Sequence, residues 1–267
     1  MDALRDSGTE DAAARALGLD GAGDAEWRAR CELAALYRLL AHFRMTDLID
    51  THISARVPGQ ADQFLINRYG VLFHEMRASD LVKVDDEGRA LHTGVGAPPA
   101  QRVNKAGFTI HSAVHKARPD LHCVIHTHTT AGIAVAAQKG GLLPISQHAM
   151  KFYGKLGYHD YEGIALDLEE RARLVAALGT HKAMILRNHG LLAAGVTVAD
   201  AFHEIYFLER ACQAQVAALA GGQELNLPSE AVRRRTAGQF GNDNASGIID
   251  LAWQAALRLL EGDGYRS

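Results

Sequence analysis

The segment "HCVIHTH", residues 122 to 128, constrains the fold more than any other part of the chain. A short apolar run bounded by polar residues suits a strand. In a strand, side chains two apart share a face, so His126 and His128 project together toward one spot at its end. The small residues from Thr129 to Gln138 read as a helix, ended by Gly140 and Gly141. A second apolar strand, "KAMILRNHG" at 182 to 190, delivers His189 at its end, where Gly190 lets the backbone turn. A lone core histidine is ordinarily satisfied by one hydrogen bond. An H-x-H strand pair joined by a third strand-end histidine points instead to a divalent metal held by His126, His128 and His189, with a position left open for chemistry. Zinc is the first expectation, and manganese, cobalt and iron are the alternatives.

The remaining segments alternate between helical and strand periods. Residues 1 to 24 show no sustained period and read as a flexible lead-in. Leu33, Leu36, Tyr37, Leu40 and Phe43 recur at helical spacing over 25 to 43. "LIDTHISARV" and "QFLINRYG" read as strands joined by a turn at "PGQAD", and "SDLVKVDDEGRAL" as a further strand and turn. "TGVGAPPAQ" is a Gly/Pro loop, and a helix covers about 105 to 116. Asp167 is positioned to cap a helix over 168 to 178. Thr197 and Asp200 stand in capping-box spacing ahead of a long helix from 198 to 220. Residues 223 to 267 form a C-terminal segment ending in a helix over 248 to 260. The expected architecture is a single three-layer α/β/α domain over 25 to 222, with a central mixed, largely antiparallel sheet.

Composition excludes several classes of partner. With 267 residues, 48% of them hydrophobic, the chain can bury one large core. A net charge of −3 offers no broad basic field, which argues against nucleic acid and anionic membranes. No apolar run approaches the ~20 residues of a membrane span, and the polar N-terminus does not read as a signal peptide. A cytoplasmic location is expected. Cys31, Cys123 and Cys212 are too widely spaced for a metal or redox motif and read as reduced core thiols.

"IHTHTTAG" and "ILRNHG" resemble the class II aldolase and adducin family. "LIDTHISARV", "GVLFHEMRASDLVKV", "NKAGFTIHSAVHKARPDLHCVIHTH", "GLLPIS" and "YHDYEGI" extend the resemblance in order from about Leu33 to Ala220. They are most similar to the branch containing the adducin head domain and its bacterial relatives. The resemblance implies an α/β/α domain, ring-like tetramers, a divalent metal on His126, His128 and His189, and cleavage or formation of a C–C bond beside a carbonyl.

The departures are as informative. Phosphosugar members of the family carry an acidic residue on the helix before the H-x-H strand, and the corresponding place here is Gly107. Their Gly-Asn pair for substrate phosphate is replaced by Thr51 and His52, and a Ser-rich approach to the acid by Asn104, Lys105 and Ala106. Met150 stands where the epimerases have an aspartate. An unphosphorylated substrate follows as the expectation. For proton transfer the candidates are His148, then Tyr153 and Lys151, with a solvent-facing loop as the other account of His148. For substrate binding they are His52 and Arg56, suited to a carboxylate, together with Asn104 and Glu75. A structural ion pair for Arg56 and an exposed acid at Glu75 are the competing accounts. His111 and His115 form an H-x-x-x-H pair without the glutamate of a metalloprotease, so His111 is expected to support the site from behind the ligands. The turn in "YHDYEG" needs no functional explanation.

Three functions fit. The first is a metal-dependent lyase of aldolase or decarboxylase type for a small hydroxy- or oxo-acid or carbonyl compound. The second is a non-haem Fe(II) oxygenase, and the third an adducin-like oligomeric binding module. A homotetramer would place the site near a subunit boundary, where the Arg233 to Arg235 run is either a contact or a solvated helix face.

Overall fold

The computed structural model describes residues 7–21, 23–92, 103–163, 169–243, 245–260, 262 and 264–267. The loop "TGVGAPPAQ" and the cap residue Asp167 lie outside them. The strands are β1 (His52–Val57), β2 (Gln60–Ile66), β3 (Val82–Asp85), β4 (Ala90–His92), β5 (Cys123–Thr127), β6 (Leu156–His159), β7 (Ala183–Leu186) and β8 (Gly190–Gly195). They form one sheet in the order β4-β3-β2-β1-β5-β8-β7-β6. Every neighbouring pair is antiparallel except β6 and β7, which are parallel. The helices are α1 (Ser7–Ala16), α2 (Ala25–His42), α3 (Lys105–Ala117), α4 (Thr130–Ala136), α5 (Gln147–Lys151), α6 (Glu170–Leu178), α7 (Val198–Ala220), α8 (Glu230–Gln239) and α9 (Ile248–Leu257). No helix of the described residues is long and apolar enough to cross a membrane.

Strand alternation sorts the core into two layers. Cys123 and Ile125 of β5, Ile53 and Ala55 of β1 and Leu191 and Ala193 of β8 pack with α2 and α7. Val124, Leu192 and Met184, pointing the other way, pack with α3 and α6. The expected three-layer arrangement with a mixed, largely antiparallel sheet is therefore present, because β5, β7 and β8 are apolar on both faces and need helices on each. Cys31, Cys123 and Cys212 are buried and free, as read from their spacing.

Several local expectations are corrected. The supposed lead-in contains α1, whose Ala14 is buried against Trp27 and Cys31. Within α1 the apolar contact is limited to Ala13 and Ala14, which leaves little helical period to see. α6 starts at Glu170, later than expected. β8 and α8 carry no clear period: β8 hides in "GLLAAG", and α8, which includes Arg233 to Arg235, is polar on most sides. β1 starts only at His52, since Leu48 adopts φ 44° and is 74% exposed, outside the sheet. Thr197 caps α7 by accepting from the Asp200 N–H at 3.0 Å. The reciprocal bond is shifted by one residue, with Asp200 accepting from the Val196 N–H at 2.9 Å.

Tyr37 of α2 fixes the start of β1 against β2. Its hydroxyl, fully buried, accepts from the N–H groups of Ile53 at 2.9 Å and Asn67 at 3.0 Å, and it also contacts the Ile53 carbonyl and the Asn67 side chain. Replacing it with phenylalanine leaves two backbone donors without this acceptor in a fully buried site. Tyr37→Phe is expected to lower the unfolding free energy by about 2 kcal/mol, read from urea denaturation. An unchanged midpoint would mean that those donors find other partners.

Candidate metal centre

The three histidines converge. His126 is the penultimate residue of β5, His128 follows the strand, and His189 lies in the β7–β8 turn. His128 Nε2 is 2.8 Å from His126 Nε2 and 2.9 Å from His189 Nε2. The sheet register brings them together: β5 pairs with β8 so that Thr127 faces Leu191, and the β8 start carries His189 back over the β5 end.

Outer partners fix which nitrogen faces inward. His126 Nδ1 donates to the Leu191 carbonyl at 2.9 Å, and His128 Nδ1 lies 3.1 Å from an Asp47 carboxylate oxygen. With the protons held on Nδ1, the Nε2 atoms present lone pairs to one another. Such an arrangement is repulsive by itself and complementary to a cation. Burial, reinforced by the neighbouring imidazoles, holds His126 well below the ordinary histidine pKa and His189 down at about 4. Both are thus neutral near pH 7, as ligands must be. The donor set of three neutral imidazoles fits a borderline divalent transition metal.

Two backbone features make the convergence possible. Asn188 takes the left-handed conformation at φ 56° and turns the chain into His189. Gly190 has a different reason from the turn expected of it. A Cβ there would stand 2.3 Å from the Thr127 carbonyl oxygen and 3.1 Å from His128 Cδ2. The residue must be glycine because β5 and β8 approach so closely.

His52 is the cross-strand partner of His126, and their rings stack at 6.1 Å. It occupies the space of the missing acid: a Cβ at Gly107 would stand 2.6 Å from the His52 ring. Both ring nitrogens of His52 are buried without a partner among the described residues, and burial pushes its pKa down to about 3. Behind it, Ser54 Oγ bridges His111 Nδ1 at 2.6 Å and His115 Nε2 at 2.8 Å, and the His111 ring lies 5.9 Å from that of His52. His111 is thus placed behind the triad. Asn104 precedes α3, whose third residue is Gly107, so it lies at the same end of the sheet.

The other candidates are placed elsewhere. The guanidinium of Arg56 is engaged by backbone carbonyls, those of Leu121 at 3.0 Å and Ala61 at 2.7 Å and also that of His115. It ties β1 to α3 instead of facing the triad, and among the described residues it makes no ion pair of the kind the competing account called for. Glu75 accepts from the Leu72 N–H at 3.1 Å in an exposed turn. His148 is exposed on α5, its ring 5.1 Å from Phe207. Tyr153 lies under Arg233 and Arg234 of α8, at 5.8 and 5.9 Å. Lys151 is buried and paired with Glu204 at 2.9 Å. It shares a cavity with Lys155 and Lys182, which precede the parallel strands β6 and β7. The triad lies beyond the other ends of those strands, so Lys151 and the triad occupy opposite ends of the sheet.

Residues not foreseen as site residues also surround the triad. Asp47 holds His128 from a loop after α2. Tyr161, 53% exposed, places its ring 6.2 Å from that of His189. His159 Nε2 is 3.1 Å from a Glu170 oxygen in a buried pair close by. Thr129, which caps α4, also contacts Glu209 of α7. Of these, only "YHDYEG" stood out in the sequence, where it was assigned to a turn.

Comparison with known proteins identifies the family and the fold. Residues 31–216 match the family model described as the Class II Aldolase and Adducin N-terminal domain. A putative aldolase class 2 protein of Caulobacter vibrioides is 51% identical over 91% of this chain and 93% of its own. Alpha-adducin of Rattus norvegicus is 41% identical over 89% of this chain but only 34% of its own length. An aldolase II superfamily protein from Pseudomonas syringae, of solved structure, superposes with a TM-score of 0.85 at 52% identity, covering 91% of this chain and 96% of that one. L-fuculose 1-phosphate aldolase from Glaciozyma antarctica gives 0.79 at 29% identity, covering 91% and 93%.

Proposed function

The chain belongs to the class II aldolase and adducin family, and from that premise we propose that it is a divalent-metal-dependent C–C lyase of aldolase or decarboxylase type. Its substrate is a small, unphosphorylated hydroxy- or oxo-acid or carbonyl compound. The observation that carries the proposal is the meeting of three imidazole Nε2 atoms whose Nδ1 partners, for His126 and His128, leave their lone pairs facing inward. His126, His128 and His189 hold the ion, zinc in the first instance. When bound, it supplies Lewis acidity to a carbonyl whose neighbouring C–C bond breaks.

The chain's own groups do the rest. Leu191 and Asp47 keep His126 and His128 in the ligating tautomer. His52, next to the triad and without a hydrogen-bond partner among the described residues, offers a ring nitrogen to a polar group of the substrate. Its presence in the Gly107 space supports a substrate unlike the phosphosugars. Tyr161 forms an exposed aromatic rim beside His189. His148, Tyr153 and Lys151 make their contacts within α5, α7 and α8, so a catalytic role for them belongs to a homotetramer in which α5 approaches a neighbour's site. The adducin relatives support one other reading, an oligomeric binding module without catalysis.

Metal analysis of protein purified without added metal, beside the His126→Ala/His128→Ala variant, tests the proposal. About one zinc, manganese or cobalt per chain, absent from the variant, together with cleavage of an unphosphorylated hydroxy- or oxo-acid, is the expected result. Iron with oxygen uptake in the presence of an oxo-acid would replace the lyase by an oxygenase. No metal even after reconstitution would leave the binding module.

A further inference from the structure

We propose that the loop of residues 44–50 is a metal-dependent strap, which Asp47 holds against the triad only while His128 serves as a ligand, so that loading the site fixes this part of its rim. The inference rests on the metal-holding part of the reading above and not on the lyase chemistry. The loop has few other anchors. Met45, 2% exposed, fixes its start, its N–H donating to the Leu40 carbonyl at 2.8 Å, and β1 begins beyond its end at His52. Among the described residues, the backbone of 46–49 makes no hydrogen bond to another element, and the Asp47 carbonyl accepts from the Asp50 N–H at 2.9 Å within the loop itself. Two side chains reach outward. Asp50 accepts from the Tyr69 hydroxyl at 3.2 Å on the surface, and Asp47 Oδ2 lies 3.1 Å from His128 Nδ1. Leu48, 74% exposed, stands at φ 44°, and Arg44 at φ 57°. Residues other than glycine pay for left-handed backbone and keep it only where contacts impose it.

The position of one proton on His128 decides whether the Asp47 tie exists. As a ligand through Nε2, His128 carries its proton on Nδ1 and donates it to Asp47, and this bond is strengthened when the opposite nitrogen is bound to a cation. In the metal-free protein the ring has a better use for that proton. His126 donates from Nδ1 to the Leu191 carbonyl at 2.9 Å, so its Nε2 is a lone pair, 2.8 Å from His128 Nε2. Placing the His128 proton on Nε2 turns this repulsive contact into a hydrogen bond and sets the Nδ1 lone pair against the Asp47 carboxylate. Net charge is unchanged, because one N–H is lost at Nδ1 and one is gained at Nε2 by exchange with water. The Asp47 side chain is 50% exposed, so it turns to water at little cost. The left-handed residues on either side of it are then free to relax.

The test is electron paramagnetic resonance of a nitroxide attached to full-length Leu48→Cys protein, with zinc content measured on the same samples. Cys31, Cys123 and Cys212 are buried, so the label goes to residue 48. Chelator-treated protein is expected to give a narrow, mobile spectrum that broadens on titration with zinc, the change being half complete when half of the sites hold zinc. Asp47→Ala in the same background should weaken zinc binding by about 10–100-fold and leave the spectrum narrow even at zinc concentrations that fill the site. A label on Leu251→Cys, at a position 71% exposed on α9, should not respond to zinc. A spectrum at residue 48 indifferent to bound zinc, broadening that survives Asp47→Ala, or an equal response at residue 251 would each overturn the strap and leave the metal centre standing. Absence of bound zinc at any concentration would overturn the metal centre and the strap together.

Discussion

The metal-free protein is expected to lose its stability steeply as the pH falls below about 6.5, well above the range in which carboxylates alone denature a protein. His52, His111, His115 and His126 are all nearly inaccessible to water. Burial first, and neighbouring positive or imidazole groups second, pushes His52 and His115 down to about 3 and His111 and His126 well below the ordinary value. The folded state keeps these rings neutral, whereas the unfolded chain takes up protons at about pH 6.5. Their contribution is therefore complete above that pH and is withdrawn as the pH falls from about 6.5 toward the folded values. Each ring gives a slope of about 1.4 kcal/mol per pH unit, and four together about 5 kcal/mol per unit. That slope exhausts a typical stability of ~5–15 kcal/mol within a few units. Urea midpoints measured from pH 8 to pH 5 should report an uptake of three to four protons on unfolding. A midpoint flat to pH 5 would show that the rings are not held neutral by burial.

Gly190→Ala should damage stability and metal binding together. The added methyl meets the Thr127 carbonyl oxygen at 2.3 Å, and this neighbour is backbone in the next strand, not a side chain that can swing away. Relief requires β5 and β8 to part at the point where His126, His128 and His189 converge. A cost of about 3 kcal/mol and a loss of metal affinity of ~10–100-fold, comparable to removing an outer partner of a ligand, are expected. Gly195→Ala is the control at the other end of β8. Its methyl would meet the Ala201 nitrogen at 2.2 Å, so stability should fall by a similar amount while metal affinity is retained. Equal loss of metal in both variants would show that the effect is one of general unfolding. Thermal unfolding and a competitive chelator titration on the same samples provide both readings.

The parts of this molecule legible in the sequence are those whose signal is local. The long α7, the α2 stripe and the β5 strand with its histidine pair follow from periodicity, and the triad follows from two strand-end patterns. His52 was recognisable as a site candidate because, by the family resemblance, Thr51 and His52 stand where phosphosugar members carry a Gly-Asn pair. What escaped depends on distant residues. Asp47 reaches His128 across 81 positions, and nothing near either residue announces it. Arg56 carries the same charge whether it binds a substrate or spans four backbone carbonyls, and only the fold decides. Lys151, two residues from Tyr153 and three from His148, faces a cavity at the far end of the sheet because α5 lies before β6 and not beyond it. β8 was concealed by its small side chains, although the same smallness, at Gly190, lets the site assemble.

The histidines that meet at one point are contributed by segments 61 residues apart, on strands that must already be paired in register. An ion offered to the unfolded chain finds only the H-x-H pair, too few ligands to hold it firmly. It therefore cannot act as a seed for folding. An ion held by the triad would enter after the β5–β8 pairing is complete and would then resist its separation, so added metal is expected to slow unfolding while leaving the folding rate nearly unchanged. The expected signature of such an ion is a longer-lived native state, not a faster route to it.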